Sequence, residues 1–153
     1  MNITVISVGK IKAAIDEYSK RLSRFAKLNI IEVADEKIPD NASEKEMEQI
    51  KEKEGNKILA KLPQNSFVVT LCIEGKEHSS EELAKKIADI SMTSSHITFI
   101  IGGSLGLSDT VKSKSALRLS FGKMTLPHQL MRVVLLEQIY RAFKINNNES
   151  YHK

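Results

Sequence analysis

Five short runs of apolar, largely β-branched residues alternate along this chain with segments whose apolar residues recur at helical spacing. The runs favour strands, because β-branched side chains pack well on a pleated surface. Predicted strands cover residues 2–8, 28–33, 66–73, 96–101 and 117–121. Turns are expected at 9–10, after the first strand, and at 74–76, where a glycine follows the third.

The segments between these runs predict helices at 11–26, 43–62, 79–92, 108–113 and 127–145. Two of them begin with a capping box, in which the side chains of a serine and of the glutamate three residues later each bond the other residue's backbone N–H. These pairs are Ser43 with Glu46 and Ser79 with Glu82, and Ser108 is expected to cap the short fourth helix.

The last predicted helix is apolar around almost its whole circumference, and such a helix has to be buried on all sides. In a chain of 153 residues the final helix would ordinarily keep one face in water. Burial by a second copy resolves the conflict, so a homodimer through this helix is expected. The apolar residues are Leu130, Met131, Val133, Val134, Leu135, Leu136, Ile139, Tyr140, Phe143 and Ile145.

The regular alternation of strand and helix predicts an α/β fold with a mostly parallel sheet and helices on both faces. The third run is nearly continuous in apolar residues, as expected for a strand that is covered on both sides. The length fits a single domain over residues 1–153.

The net charge of +4 is unevenly distributed. Residues 112–153 contain eight Lys and Arg against two Glu, whereas residues 35–61 contain eight Asp and Glu against six Lys. A basic region that also carries aromatic residues suits a nucleic acid, because phosphates attract the cations and bases stack on the rings. A basic face that only keeps a surface helix soluble explains the charge equally well.

Several classes of protein do not fit the sequence. No apolar run approaches the length of a membrane span, and no signal peptide is recognised at the N-terminus. The single cysteine, Cys72, lies in an apolar run and is expected to be a buried thiol. His78 and His96 belong to no cluster with zinc-ligand spacing, so no metal site is expected. A cytoplasmic protein is therefore predicted.

Two predicted strands end at flexible loops close to the start of the last helix. The fourth ends in a turn that contains Gly102, Gly103 and Gly106, and the fifth leads into the loop 121–126. Strands that end this way can form a ligand crevice at the carboxyl edge of a sheet. A glycine pair after a strand can also be only a turn, and the full spacing of a phosphate-binding loop is missing.

Three blocks closely resemble the ribosomal large subunit methyltransferase H family of bacteria. They are IGGSLGL from Ile101, SFGKMTLPHQLMRVVLLEQIYRAFKI from Ser120, and the terminal YHK. That family belongs to the SPOUT class of RNA methyltransferases, and the resemblance extends over nearly the whole chain. It implies a C-terminal trefoil knot, a homodimer and S-adenosyl-L-methionine as cofactor. The implied reaction is methylation of N3 of a pseudouridine in the 23S rRNA of the assembled ribosome.

The resemblance also implies which residues bind the cofactor. Backbone groups of the glycine turn and of the loop 121–126 would bind the adenine edge and the ribose, while Leu71, Leu126 and Ile101 would enclose the ring. The cofactor-binding candidates are Leu71, Gly102, Gly103, Phe121, Gly122, Lys123, Met124, Thr125 and Leu126.

Candidates for the chemistry lie in the last helix and in the tail. His128 at the helix start could accept a proton, because a helix N-terminus favours a neutral imidazole. Arg132, one turn on, could hold a phosphate or a carboxylate. By resemblance, Tyr151 would stack on a base, and His152 with Lys153 would bind phosphate or stabilise the N3 anion. The tail would close over the rim of a cofactor site, either that of its own chain or that of the partner subunit.

Two departures from the family pattern stand beside this interpretation. Ser150 replaces a more usual Pro or Ala, and about five residues are missing before the first helix. Other functions remain open: a SPOUT enzyme that acts on another RNA such as tRNA, or an RNA-binding module without catalysis. A metabolic enzyme with a nucleotide cofactor fits less well, because no acidic residue follows the glycine turn at the ribose-binding position.

Overall fold

The computed structural model describes residues 1–9 and 14–153. The elements in chain order are β1 (Asn2–Val8), α1 (Ile15–Leu22), β2 (Lys27–Val33), α2 (Glu44–Lys61), β3 (Phe67–Glu77), α3 (Ser80–Ser91), β4 (His96–Ile101), α4 (Asp109–Ser113), β5 (Leu117–Ser120) and α5 (His128–Asn146). The predicted start of the first helix, at residues 11–13, lies outside the described residues, and the rest of that helix is confirmed in shorter form.

The five strands form one sheet in the order β2-β1-β4-β3-β5, and every neighbouring pair is parallel. Successive side chains of the central strands point to opposite faces of the sheet, and the apolar ones form two cores. One core lies under α1, α3 and α5, and the other lies under α2 and α4. The predicted α/β fold with helices on both faces of a parallel sheet is therefore confirmed. The trefoil knot and the dimer stay predictions.

Both predicted capping boxes are present. The Ser43 hydroxyl accepts from the Glu46 amide at 3.1 Å, and the Ser79 hydroxyl accepts from the Glu82 amide at 3.0 Å. Ser108 caps α4 through the amide of Val111. These contacts satisfy N–H groups that a helix start otherwise leaves without a partner.

The predicted turn at residues 74–76 is wrong, because β3 continues to Glu77. The pairing of β3 with β5 is interrupted between Leu71 and Lys76, and both residues pair with Leu119. The intervening segment bulges out and then rejoins the ladder. Gly75 permits this: a Cβ there would lie 2.8 Å from the carbonyl carbon and oxygen of Arg118. A side chain would prevent the return of the strand.

Helix α5 packs against α1 and α3 over the sheet, and its core residues are fully buried. Its N-terminal half keeps apolar surface in water, since the Leu130 side chain is 48% exposed and Val134, one turn on, is half-buried. The sequence predicts that this helix is buried on all sides. In a single chain, part of it therefore stays uncovered.

Candidate functional site

A cavity of about 650 Å³ opens where β3, β4 and β5 end. This is the edge of an open parallel sheet at which ligands bind, and the volume falls in the range of cofactor sites. The wall is formed by the β3 bulge, the glycine turn after β4, the loop after β5 and the start of α5. Its residues are Leu71–Glu74, Ile101–Leu107, Lys112, Leu119, Phe121, Gly122, Met124–His128 and Met131.

The glycine turn after β4 is a closed, tight loop. The Gly106 amide donates to the Gly103 carbonyl at 3.0 Å, and Gly106 has a φ of +86°. A Cβ on Gly102 would lie 2.8 Å from the carbonyl carbon of Gly106, so the two ends of the turn touch through backbone alone. The turn therefore presents main-chain groups to the cavity instead of side chains.

The loop after β5 is tied to β3 by one buried hydroxyl. Ser120 Oγ donates towards the Ile73 carbonyl (2.9 Å) and accepts from the Gly122 amide (3.1 Å). Gly122 has a φ of +126°, and a Cβ there would meet no atom within 4 Å. Sequence reasoning missed the role of Ser120. A polar residue at the end of an apolar strand was the available signal.

Eight of the nine residues predicted to bind the cofactor line this one cavity. Lys123 is the exception: it is exposed and lies outside the wall. Cys72 also differs from expectation, because it is half-buried and lines the cavity instead of lying in the core. The residues brought together are Leu71, Gly102, Gly103, Phe121, Gly122, Met124, Thr125 and Leu126.

The two candidates in the first turns of α5 separate. His128 lines the cavity. Arg132 is fully buried, and its guanidinium donates to the carbonyl of Val8 at the end of β1. Burial lowers the pKa of Arg132, and Asp35 and Glu32 act in the opposite direction. An inward guanidinium does not fit direct contact with an RNA phosphate.

The C-terminal tail folds back onto α5 and α3. The Tyr151 ring meets Tyr140 edge-on with centroids 5.0 Å apart, and its hydroxyl donates to Glu137 Oε1 at 3.2 Å. The Arg141 guanidinium lies 4.7 Å from the centre of the Tyr151 ring. Desolvation and the nearby Glu137 raise the pKa of Tyr151. This end of the chain has specific packing, unlike most termini.

His152 is held between two charged side chains. Its Nδ1 lies 3.1 Å from Arg141 Nη1, and its Nε2 lies 2.6 Å from Glu81 Oε1. A guanidinium can only donate and a carboxylate can only accept. With these partners, Nδ1 accepts from Arg141 and Nε2 donates to Glu81. His152 also holds down the pKa of Glu81, after the larger effect of that residue's own backbone amide.

The tail and the cavity are far apart within one chain. Among the described residues, Tyr151, His152 and Lys153 are absent from the cavity wall. The tail contacts α5 at Glu137 and Arg141, nine and 13 residues beyond His128, which corresponds to about 14 and 20 Å along the axis. The structure thus gathers the predicted cofactor residues at one place and the tail residues at another.

A buried carboxyl lies behind the glycine turn. Glu54 of α2 is only 6% exposed, and its Oε2 accepts from the Glu36 amide at 3.1 Å. Its Oε1 lies 3.1 Å from where a Gly103 Cβ would be. Burial raises the pKa of Glu54; the hydrogen bond from the Glu36 amide opposes this rise, and the negative charges of Asp35 and Glu36 add to it. The alternating charges of α2 give no sign in the sequence that Glu54 is buried.

The cavity fits the predicted cofactor. The apolar side chains of Leu71, Ile101 and Leu126 can cover a flat ring, and the two loops supply main-chain donors and acceptors at its edges. At Gly106 and Gly122 a side chain would point into open space, so backbone borders the cavity directly. This donor set suits an adenine and a ribose, which are recognised by hydrogen bonds and by contact with the ring face.

A parallel sheet whose strands end at a glycine-walled cavity is typical of α/β proteins that bind a ligand at the carboxyl edge of the sheet. Residues 1–152 match the family model described as "Predicted SPOUT methyltransferase". The chain belongs to this SPOUT methyltransferase family.

The chain is also similar along its whole length to curated proteins. It is 58% identical to the ribosomal RNA large subunit methyltransferase H of Clostridioides difficile strain 630 and 60% identical to that of Clostridium novyi strain NT. Each comparison covers 100% of both chains. A solved structure from Haemophilus influenzae Rd KW20, described as "a probable methylase family protein", superposes with a TM-score of 0.55. It is 14% identical over 99% of this chain and 70% of that one, so it supports the fold alone.

Two kinds of feature are absent from the described residues. Within 1–9 and 14–153, no helix is long and apolar enough to cross a membrane. Over the same ranges, no group of three or more His, Cys, Asp or Glu is placed to hold a metal ion.

Proposed function

We propose that this protein methylates N3 of a pseudouridine in 23S rRNA, using S-adenosyl-L-methionine, and that it acts on the assembled ribosome. The observation that carries the proposal is the cavity at the ends of β3, β4 and β5, where eight of nine residues expected from the resemblance lie together. The choice of ribosomal RNA is supported by the names of relatives that match from end to end.

In this proposal the chain's own residues hold the donor. Leu71, Ile101 and Leu126 cover the adenine, and main-chain groups of the glycine turn and of the loop after β5 bind its edge and the ribose. The bound cofactor supplies an activated methyl group on a sulfonium sulfur, which keeps the electron pair of the breaking bond. The protein then has to align donor and acceptor and to accept the proton from N3.

The catalytic unit is a homodimer in which the tail of one protomer completes the cavity of the other. Two observations support this arrangement. The tail contacts Glu137 and Arg141, about 14 and 20 Å along α5 from His128 at the cavity of its own chain. The N-terminal half of α5 also exposes Leu130 and Val134, which a second copy would cover. An apolar helix face of this kind is typical of a permanent interface.

The tail supplies the groups for substrate chemistry. Tyr151 stacks on the target base, Lys153 binds phosphate, and His152 accepts the N3 proton once Arg141 releases its Nδ1. In the present contacts the lone pair of His152 Nδ1 accepts from Arg141. His128 at the cavity is the second candidate for the base. The basic excess in residues 112–153 supports binding of RNA phosphates next to the cofactor.

The activity is tested by methyl transfer from labelled S-adenosyl-L-methionine. Whole ribosomes, isolated large subunits, free rRNA and tRNA from a host without this enzyme are compared, and the modified base is mapped by mass spectrometry. We expect label on one pseudouridine and only in assembled ribosomes. Label on tRNA instead would move the substrate to another RNA. A protein that transfers no methyl group and binds no cofactor would be an RNA-binding module.

Tail exchange between protomers is tested by complementation. One variant lacks residues 151–153, and the other carries Gly102→Ala, whose Cβ would clash with the Gly106 backbone and distort the cavity wall. In a mixed dimer, the second chain can lend its tail to the intact cavity of the first. Co-expression should therefore restore methylation, up to about half of the wild-type activity per mixed dimer. No recovery in a confirmed mixed dimer would mean that each tail serves its own chain.

A further inference from the structure

The cavity wall carries one pair of opposite full charges. Among the described residues of that wall, the acidic side chain is Glu74 and the Lys or Arg side chain is Lys112. The remaining wall is apolar side chain, small polar side chain and main chain. Two charges at such a place call for an explanation, since a wall that only covered an adenine ring would need neither.

The two charges come from different elements. Glu74 lies in the β3 bulge, and Lys112 lies in α4 on the far side of the glycine turn. Lys112 Nζ and Glu74 Oε1 are 2.6 Å apart, and the two side chains are 21% and 55% exposed. The Lys112 ammonium lowers the pKa of Glu74, so the carboxylate stays ionised near neutral pH. A fixed positive and a fixed negative group therefore stand side by side at the cavity.

S-Adenosyl-L-methionine has the complementary pattern at its amino-acid end. Its α-carboxylate and α-ammonium are separated by one carbon, so they can meet two neighbouring charges of opposite sign. The existing ion pair leaves both of its members able to form further hydrogen bonds. An ammonium has three N–H donors, and a carboxylate has about four lone-pair positions. Lys112 can bind the α-carboxylate and Glu74 the α-ammonium while the two side chains keep their contact.

We propose that Glu74 and Lys112 form a subsite for the amino-acid end of the cofactor, with Lys112 on the α-carboxylate and Glu74 on the α-ammonium. This inference rests on the proposed function, because it assumes the adenosyl group in the same cavity. It assigns the β3 bulge a purpose: the bulge carries Glu74 out of the ladder to the cavity wall. The competing explanation is a clasp, in which the pair only holds the bulge against α4.

Two thioether ligands separate the subsite from the clasp. S-Adenosylhomocysteine carries the amino-acid end, and 5′-methylthioadenosine has a methyl group in its place, while both share the adenosyl group. Their dissociation constants are measured by titration calorimetry for the full-length wild type and for Lys112→Met and Glu74→Gln. Lys114→Met and Glu77→Gln are matched controls, because both residues are exposed and lie outside the cavity wall. Unfolding midpoints of all variants are measured alongside.

We expect Lys112→Met and Glu74→Gln each to raise the dissociation constant of S-adenosylhomocysteine by about five- to tenfold. This is the range for a partly exposed hydrogen bond to a charged group. Binding of 5′-methylthioadenosine should change by less than about twofold, within the error of such comparisons. The two controls should leave both ligands unaffected. Equal weakening of both ligands would overturn the subsite in favour of the clasp. Unchanged S-adenosylhomocysteine binding would leave the amino-acid end in solvent and overturn it too.

The proposed function fails in a different way. If the wild type binds neither ligand, the adenosyl site itself is refuted, and the subsite falls with it. If the wild type binds 5′-methylthioadenosine as tightly as S-adenosylhomocysteine, the adenosyl site stands and the subsite is refuted alone.

Discussion

Replacing Gly102 by alanine tests whether backbone contact closes the glycine turn. The added Cβ would lie 2.8 Å from the carbonyl carbon and 2.9 Å from the oxygen of Gly106. Carbon atoms in contact are about 3.5 Å apart or more, so the clash amounts to about 0.7 Å. Backbone on both sides cannot rotate away, and the bond from the Gly106 amide to Gly103 has to stretch or break. Overpacking of this kind costs about 1–3 kcal/mol.

Gly103 provides the matched comparison. A Cβ there would meet Glu54 Oε1 at 3.1 Å and Val8 Cγ1 at 3.2 Å. Both are ends of side chains and can move by a few tenths of an ångström. Gly103→Ala should therefore cost less than about 1 kcal/mol. The same methyl group is added one residue away, so the difference between the variants reports the backbone clash.

The assay measures S-adenosylhomocysteine affinity by calorimetry and the free energy of unfolding by urea titration. If the cost in Gly102→Ala falls on the cavity, affinity should drop by about 10- to 100-fold, since 1.4 kcal/mol corresponds to a factor of ten. Gly103→Ala should lose no more than about threefold. Wild-type affinity in Gly102→Ala, or an equal loss in both variants, would refute the account of the turn.

Three further perturbations concern groups away from the cavity wall. Arg132→Met should lower the free energy of unfolding by about 3 kcal/mol, measured by urea titration, because it removes a buried charged donor from the Val8 carbonyl. Deleting residues 151–153 should abolish methylation but change cofactor affinity by less than about twofold in calorimetry. Burial raises the pKa of Glu54, so the folded protein binds that proton more tightly than the unfolded chain. The excess stability of the wild type over Glu54→Gln should therefore fall as pH rises from the ordinary carboxyl range through the raised pKa.

Each of these has its own control. Arg132→Lys keeps the charge without the planar guanidinium, so it should recover only part of the lost free energy of unfolding. Wild-type stability in Arg132→Met would assign Arg132 another role. Loss of cofactor binding on tail deletion would place the tail in the cofactor site. Glu48→Gln, which removes an exposed carboxylate from the same helix, is the matched control for Glu54→Gln. A Glu54 difference that is flat or grows with pH would contradict the raised pKa of this buried carboxyl.

Features that depend on neighbours in sequence were predictable. The capping boxes at Ser43 and Ser79 join residues three apart, and both formed. The predicted bounds of β4 match the structure because a β-branched run ends in a glycine pair. Parallel pairing followed from the alternation of strands and helices. The order of strands in the sheet was not predicted, since it depends on pairings between distant segments.

Features that depend on distant contacts were missed. The extension of β3 past Gly75 requires the backbone of Arg118, more than 40 residues away in sequence. The charges that alternate along α2 suit a solvated helix face. Glu54 is nevertheless buried, because α2 packs closely on α4 there. A Cβ on Gly55 would lie 2.5 Å from Ser108 Oγ. A glycine inside a helix costs about 1 kcal/mol relative to alanine, so Gly55 was the signal of this contact.

Arg132 shows that helix periodicity predicts the face on which a side chain lies but not the group that it contacts. Spacing by four residues put it on the same face as His128, and both lie on the inner side of α5. The side chains nevertheless serve different places, because α5 passes from the cavity rim to the end of β1 within one turn. His128 reaches the cavity, and Arg132 joins α5 to Val8, the last residue of β1. A buried cation at that position fixes the start of α5, and with it the cavity wall, so loss of activity in an Arg132 variant would not by itself identify a catalytic residue.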